Sequence, residues 1–104
     1  MDKKFSFIIA LFIFQVSAVL AADAGFNEIC RIYTEALNSS MSNEQKNDYI
    51  NDNVAKRINE KDAVTTHSII YQVTPSERYS IFKESAETSL KKSWNCSAMK
   101  ALMK

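Results

Sequence analysis

Apolar residues in this chain form one nearly continuous run and then a series of interrupted stripes. The run is Phe5 to Leu20, FSFIIALFIFQVSAVL, with Lys3 and Lys4 before it. Small residues follow it in Val19-Leu20-Ala21 and again in Ala22-Asp23-Ala24. A basic start, a short apolar stretch and a small-residue end are the parts of a secretory signal peptide. Val19 and Ala21 best meet the need for small side chains at the cleavage site, with Ala22 and Ala24 second. Counted from Phe5 to Ala22 the segment has 18 residues, which barely reaches the length needed to span a bilayer. Retained, it would tether the chain to a membrane. The expected organisation is a signal peptide over 1–21 and a single helical domain over 22–104.

The stripes that follow have helical spacing. Phe26, Ile29, Cys30, Tyr33, Ala36 and Leu37 share one face of a first helix running to about Asn38. Ser42 and Gln45 have the spacing of a capping box, opening a second helix from Asn43 to about Asn59 with Ile50, Val54 and Ile58 as its seam. Residues 63–73 suit a short helix through Val64, His67, Ile70 and Tyr71, although Ile69 to Val73 is also β-prone. Thr74-Pro75-Ser76-Glu77 combines an N-cap position, a proline at the first helical residue and an acidic third residue. The fourth helix then carries Tyr79, Phe82, Ala86, Leu90 and Trp94, ending near Trp94. Cys96, Met99, Leu102 and Met103 form a last apolar edge, as a continuation of that helix or as a short fifth one. The fold class expected is all-α, a small four- to five-helix bundle.

Composition narrows the chemistry. Hydrophobic residues make up 46% of the 104 and charged residues 24%, so the chain has the material for one small core. A single Gly and a single Pro disfavour all-β folds and glycine-rich phosphate loops, which depend on tight turns. The 13 basic and 12 acidic residues include Lys3, Lys4 and Asp2 of the leader. Eleven of each sign remain beyond it. A neutral domain has no long-range attraction for nucleic acid, and none is expected as a partner.

Cys30 and Cys96 are the two cysteines. In an exported small domain an even pair reads as a disulfide. Closing a loop of this size stabilises by roughly 4 kcal/mol in the chain-entropy picture. The pair lacks the C-x-x-C spacing of a redox motif.

Candidate sites are few. His67, the single histidine, comes without the H-x-x-x-H, H-E-x-x-H or Cys/His partners of a metal site. It is read as a structural or surface histidine. Glu84 and Glu87 are helical neighbours that would serve as an acid/base pair only if buried. No catalytic, metal or cofactor-binding residue is assigned and no enzyme activity is expected; an enzyme would need His67 beside a carboxylate. Tyr79, Trp94, Met99, Leu102 and Met103 are the candidate partner-binding residues. Most of that stripe is expected to be core, and a part of it to line a groove for an apolar ligand or a partner helix.

The segment Glu77-Arg78-Tyr79, Phe82-Lys83, Ala86-Glu87 and Trp94-Asn95-Cys96-Ser97-Ala98-Met99 resembles small exported bacterial proteins of unassigned function. Those have one Cys in the first helix and a Trp-x-Cys element near the C-terminus. The resemblance implies a one-disulfide helical build and transfers no site. In size and bridge count the chain is also similar to periplasmic acid-stress chaperones, an analogy of build only. The resulting expectation is an exported binding protein, periplasmic or secreted. Its partner would be a protein or a small apolar ligand, with the membrane involved only if the N-terminal segment is retained.

Overall fold

A computed structural model of the chain describes the backbone of residues 3–103 and the side chains of residues 20–103. The expected signal peptide, residues 1–21, therefore lies almost wholly outside the described side chains. Five α-helices follow one another: α1 Lys3–Leu37, α2 Asn43–Arg57, α3 Lys61–Ile69, α4 Pro75–Leu90 and α5 Ser97–Leu102. A 3₁₀ turn, Ile70–Gln72, extends α3. The architecture is all-α, as the periodicity predicts.

Helix α1 is the centre of the arrangement, in contact with each of the other four helices. That explains a width of burial beyond a single stripe. Phe26, Ile29, Tyr33 and Ala36 are buried as expected, and Ile32 joins them. A helix wrapped on several sides buries a broader arc than a surface helix does. Leu37, expected on the inner face, is instead largely exposed at the helix end. Burial of described side chains begins at Ala22, while Leu20 is 63% exposed.

Local signals set most helix starts. The Ser42 hydroxyl accepts from the Gln45 backbone N–H at 3.2 Å, and the Gln45 side chain accepts from the Ser42 N–H at 3.0 Å. This reciprocal cap satisfies two otherwise orphan donors. At α3 the carboxylate of Glu60 accepts from the backbone N–H groups of Asp62 and Ala63. At α4, Pro75 sits in the first turn, but the Thr74 side chain makes no capping bond, so the motif there works through the proline alone.

One expectation needs correction. Helix α4 stops at Leu90, four residues before Trp94, because Lys91 adopts a left-handed conformation with φ 57°. The closing bond runs from the Lys91 N–H to the Glu87 carbonyl. The chain then turns back, and the Trp94 ring enters the core from the loop. There Phe26, Phe82 and Trp94 meet in pairs, with ring centroids 5.4 to 6.3 Å apart and inclined planes. The last apolar edge forms a separate helix, α5.

Cys30 and Cys96 form a disulfide with Cα atoms 5.7 Å apart, within the ordinary range for the bond. It pins the entry of α5 to the C-terminal part of α1. The Tyr79 hydroxyl reinforces this by accepting from the Cys96 N–H at 3.1 Å. On the opposite flank, Arg57 ties α2 to α1 through Glu28 and Glu35. The Tyr49 hydroxyl also donates to Glu35 at 2.7 Å. These bonds to Arg57 and Tyr49 hold the Glu35 carboxyl below its usual range.

Candidate functional site

Two concave regions border α1. One is more open and lies against the loop after α2, with Ala21, Gly25, Glu28, Arg57 and Glu60 among its lining residues. Its arginine is already neutralised by Glu28 and Glu35, which leaves it little to offer a ligand. The second is a narrower cleft of about 400 Å³, a size in the range of small-molecule sites.

Five segments build this second cleft. Tyr33 comes from α1, and Asn43, Lys46, Asn47 and Ile50 from α2. Tyr71 comes from the 3₁₀ turn, Pro75 and Arg78 from α4, and Ala101, Leu102 and Met103 from the end of α5. The α2 contribution follows from helical geometry, since positions 43, 46, 47 and 50 stand on one face. The lining mixes charged and amide side chains with aromatic and aliphatic ones.

The electrostatics are one-sided. No Asp or Glu is among the lining residues. Lys46 and Arg78 are half-buried, and neither forms an ion pair among the described residues. Arg78 is held in two ways. Its Nε donates to the Val73 carbonyl at 3.2 Å, and its guanidinium lies 5.0 Å from the centroid of the Tyr71 ring, a cation–π distance. Its terminal N–H groups make no hydrogen bond among the described residues.

Behind the cleft lies a buried polar pair. A hydrogen bond of 2.7 Å joins the Tyr33 hydroxyl to Nε2 of His67. His67 is 4% exposed, the one buried polar side chain among the described residues. Its ring packs edge-on against Tyr33, Tyr71 and Phe82. Burial pushes its pKa down to about 4, so it is neutral at physiological pH. Burial first, then the neighbouring Tyr71, raises the Tyr33 phenol far above its ordinary value against the opposing charge of Arg78. Tyr33 therefore presents a neutral hydroxyl group.

The residues singled out from the sequence separate into distinct roles. Trp94 and Met99 are core, 4% and 0% exposed, and offer no contact surface. The indole of Trp94 donates to Asn27 at 3.3 Å, and its backbone N–H donates to Glu87 at 3.0 Å. Tyr79 is half-buried, its hydroxyl engaged with Cys96. Leu102 and Met103 alone of the five reach the cleft. His67 is paired with a tyrosine rather than a carboxylate. Glu87 is engaged by Lys83 at 2.6 Å and by the Trp94 N–H; these bonds lower its pKa. The cations escaped notice because each is an ordinary helical residue in its own segment. The only local hint was Lys46 flanked by Asn43 and Asn47 above the buried Ile50.

Among the described residues no cluster of His, Cys, Asp or Glu is placed to hold a metal ion, and no helix is long and apolar enough to cross a membrane. Comparison with known proteins finds no matching family model, no matching curated protein and no matching solved structure.

Proposed function

We propose that this is an exported binding protein, processed after Ala21, whose ligand occupies the cleft between α1, α2, α4 and α5. Support for export comes from the leader pattern of residues 1–21 and from the Cys30–Cys96 disulfide, a bond that persists in oxidising compartments. The cleavage position is supported by the burial of Ala22 beside exposed Leu20 and Ala21. Asp23, just beyond it, pairs with Lys92 at 3.2 Å. Cutting after Ala24 would remove both.

One observation carries the binding reading. Residues from five segments converge on a single concavity that joins charged, aromatic and aliphatic walls. Such a mixture of a few polar groups on an apolar lining is the usual build of a ligand site. The test is ligand-observed NMR with a library of neutral, cationic and anionic small molecules, followed by amide-shift mapping. Hits that map to Lys46, Arg78 and Leu102 uphold the reading. The absence of any hit at the cleft overturns it.

A second reading is a membrane-tethered module. It is favoured by the continuity of α1, one helix from Lys3 to Leu37, which joins the apolar segment to the domain without a linker. N-terminal sequencing of the native protein separates the two: a start at Ala22 ends the tether, and an intact Met1 establishes it.

A further inference from the structure

We infer that the cleft takes a small organic carboxylate with an apolar body, its anionic head between Lys46 and Arg78 and its body against Leu102 and Met103. This rests on the binding reading above and adds the chemical class of the ligand.

The charge argument comes first. Two half-buried cations share a concavity that no acidic side chain lines, and neither forms an ion pair among the described residues. Half-buried like charges repel, and their partial loss of hydration is offset by a bound anion. The geometry of Arg78 selects the kind of anion. Its Nε is occupied by the Val73 carbonyl and its plane rests near Tyr71. The two terminal nitrogens remain, and they form a planar fork that matches the two oxygens of a carboxylate. Lys46 adds a second charge, and the amides of Asn43 and Asn47 stand on the same helical face.

The other wall decides between an organic acid and an inorganic anion. The half-buried Leu102 and Met103 would gain nothing from phosphate or sulfate. They gain from covering an alkyl or aryl group, at about 25 cal/mol for each Å² removed from water. Met103 in particular adapts to irregular apolar shapes through its unbranched side chain. The volume of about 400 Å³ suits a medium-chain or aromatic acid and is too small for a folded partner.

The inner wall completes the head-group site. Neutral His67 can donate from Nε2 to the Tyr33 oxygen, which turns the Tyr33 hydroxyl hydrogen away from His67, to the side of Tyr71 and the cleft. With an anion bound, this arrangement fixes His67 as the Nε2–H tautomer, a state that ¹⁵N chemical shifts of the imidazole report directly.

The test uses the full chain expressed with its leader, purified in the disulfide-containing form the cell produces. Octanoate, octylamine, octanol and inorganic phosphate are titrated separately below micelle-forming concentrations, with backbone amides as the readout. Octanoate is expected to shift the amides of Lys46, Arg78 and Leu102 and to bring His67 to the Nε2–H tautomer. Its affinity is expected to fall roughly tenfold or more in Arg78→Gln, the loss of a charged hydrogen bond. Lys46→Gln, at a side chain that forms no ion pair among the described residues, is expected to weaken it in the same direction, which keeps the test valid should Arg78→Gln disturb the turn at Val73. Octanol or octylamine binding there as well as octanoate would overturn the carboxylate assignment and leave the binding function standing. Phosphate binding as tightly as octanoate would also overturn it. Failure of all four, together with an empty library screen, would remove both.

Discussion

The hydroxyl of Tyr33 and Nε2 of His67 lie 2.7 Å apart inside the domain, joined across 34 residues of chain. Each satisfies the other's polar atom where water is excluded, and together they stitch α1 to α3. Among the described residues no buried side-chain nitrogen or oxygen is left without a partner. The pair also links the core to the cleft, because Tyr33 belongs to both.

Acid should weaken the fold through this histidine. Its folded pKa lies near 4, below its ordinary value of 6.5. As pH falls through 6.5 the unfolded chain takes up a proton that the native state refuses until about pH 4. Stability from this group is therefore complete above 6.5 and is lost between 6.5 and 4, by about 3 kcal/mol in all. Urea unfolding across that range, compared with His67→Gln, isolates the effect from that of the carboxylates. Parallel pH profiles for the two proteins would refute it.

Breaking the disulfide should cost roughly 4 kcal/mol by the loop-closure argument, since the bridged residues are 66 apart in sequence. That approaches the entire stability of many domains of this size. The paired Cys30→Ala, Cys96→Ala variant is expected to be largely unfolded at 37 °C by circular dichroism. A double variant with an unchanged melting curve would contradict this.

Gly25→Ala should destabilise, although alanine is the better helix former by about 1 kcal/mol. A methyl group at Gly25 would stand 2.8 Å from Cβ of Glu60 and 3.1 Å from Cβ of Ala63. Those atoms are fixed to the backbone at the start of α3, where Glu60 caps the helix. Relief therefore requires α1 and α3 to separate. A lower urea midpoint is the expected result, and a raised one would show that the contact yields freely.

Phe82→Ala should cost about 3–5 kcal/mol. The ring is fully buried and borders Phe26, Trp94 and His67 at centroid distances of 5.5, 5.4 and 6.4 Å. Phe82→Leu retains most of the volume and is expected to lose less than half as much. Chemical denaturation of both variants checks the order, and equal losses would mean that the site collapses around the smaller side chain.

The sequence by itself determined what one or two helical turns can encode. Ser42 and Gln45 announce the start of α2 because both capping partners lie within four residues. Pro75 announces α4 because its ring presets the first helical angle and lacks the N–H that would be orphaned there. The cysteine pair and the alternation of apolar residues were equally legible, and with them the all-α class. Tertiary structure alone decided the rest. Lys91 turns left-handed where no glycine marks the stop, because the Trp94 ring docks beside Phe82 and the Trp94 backbone N–H reaches back to Glu87. Ile32 is buried because α1 is surrounded, a fact no single stripe contains. Lys46, Arg78, Tyr33 and Leu102 share one cleft only after four helices pack. The physical reason is range: hydrogen-bonded caps and side-chain periodicity act within a turn or two. Burial, charge pairing and concavity instead depend on which distant surfaces meet.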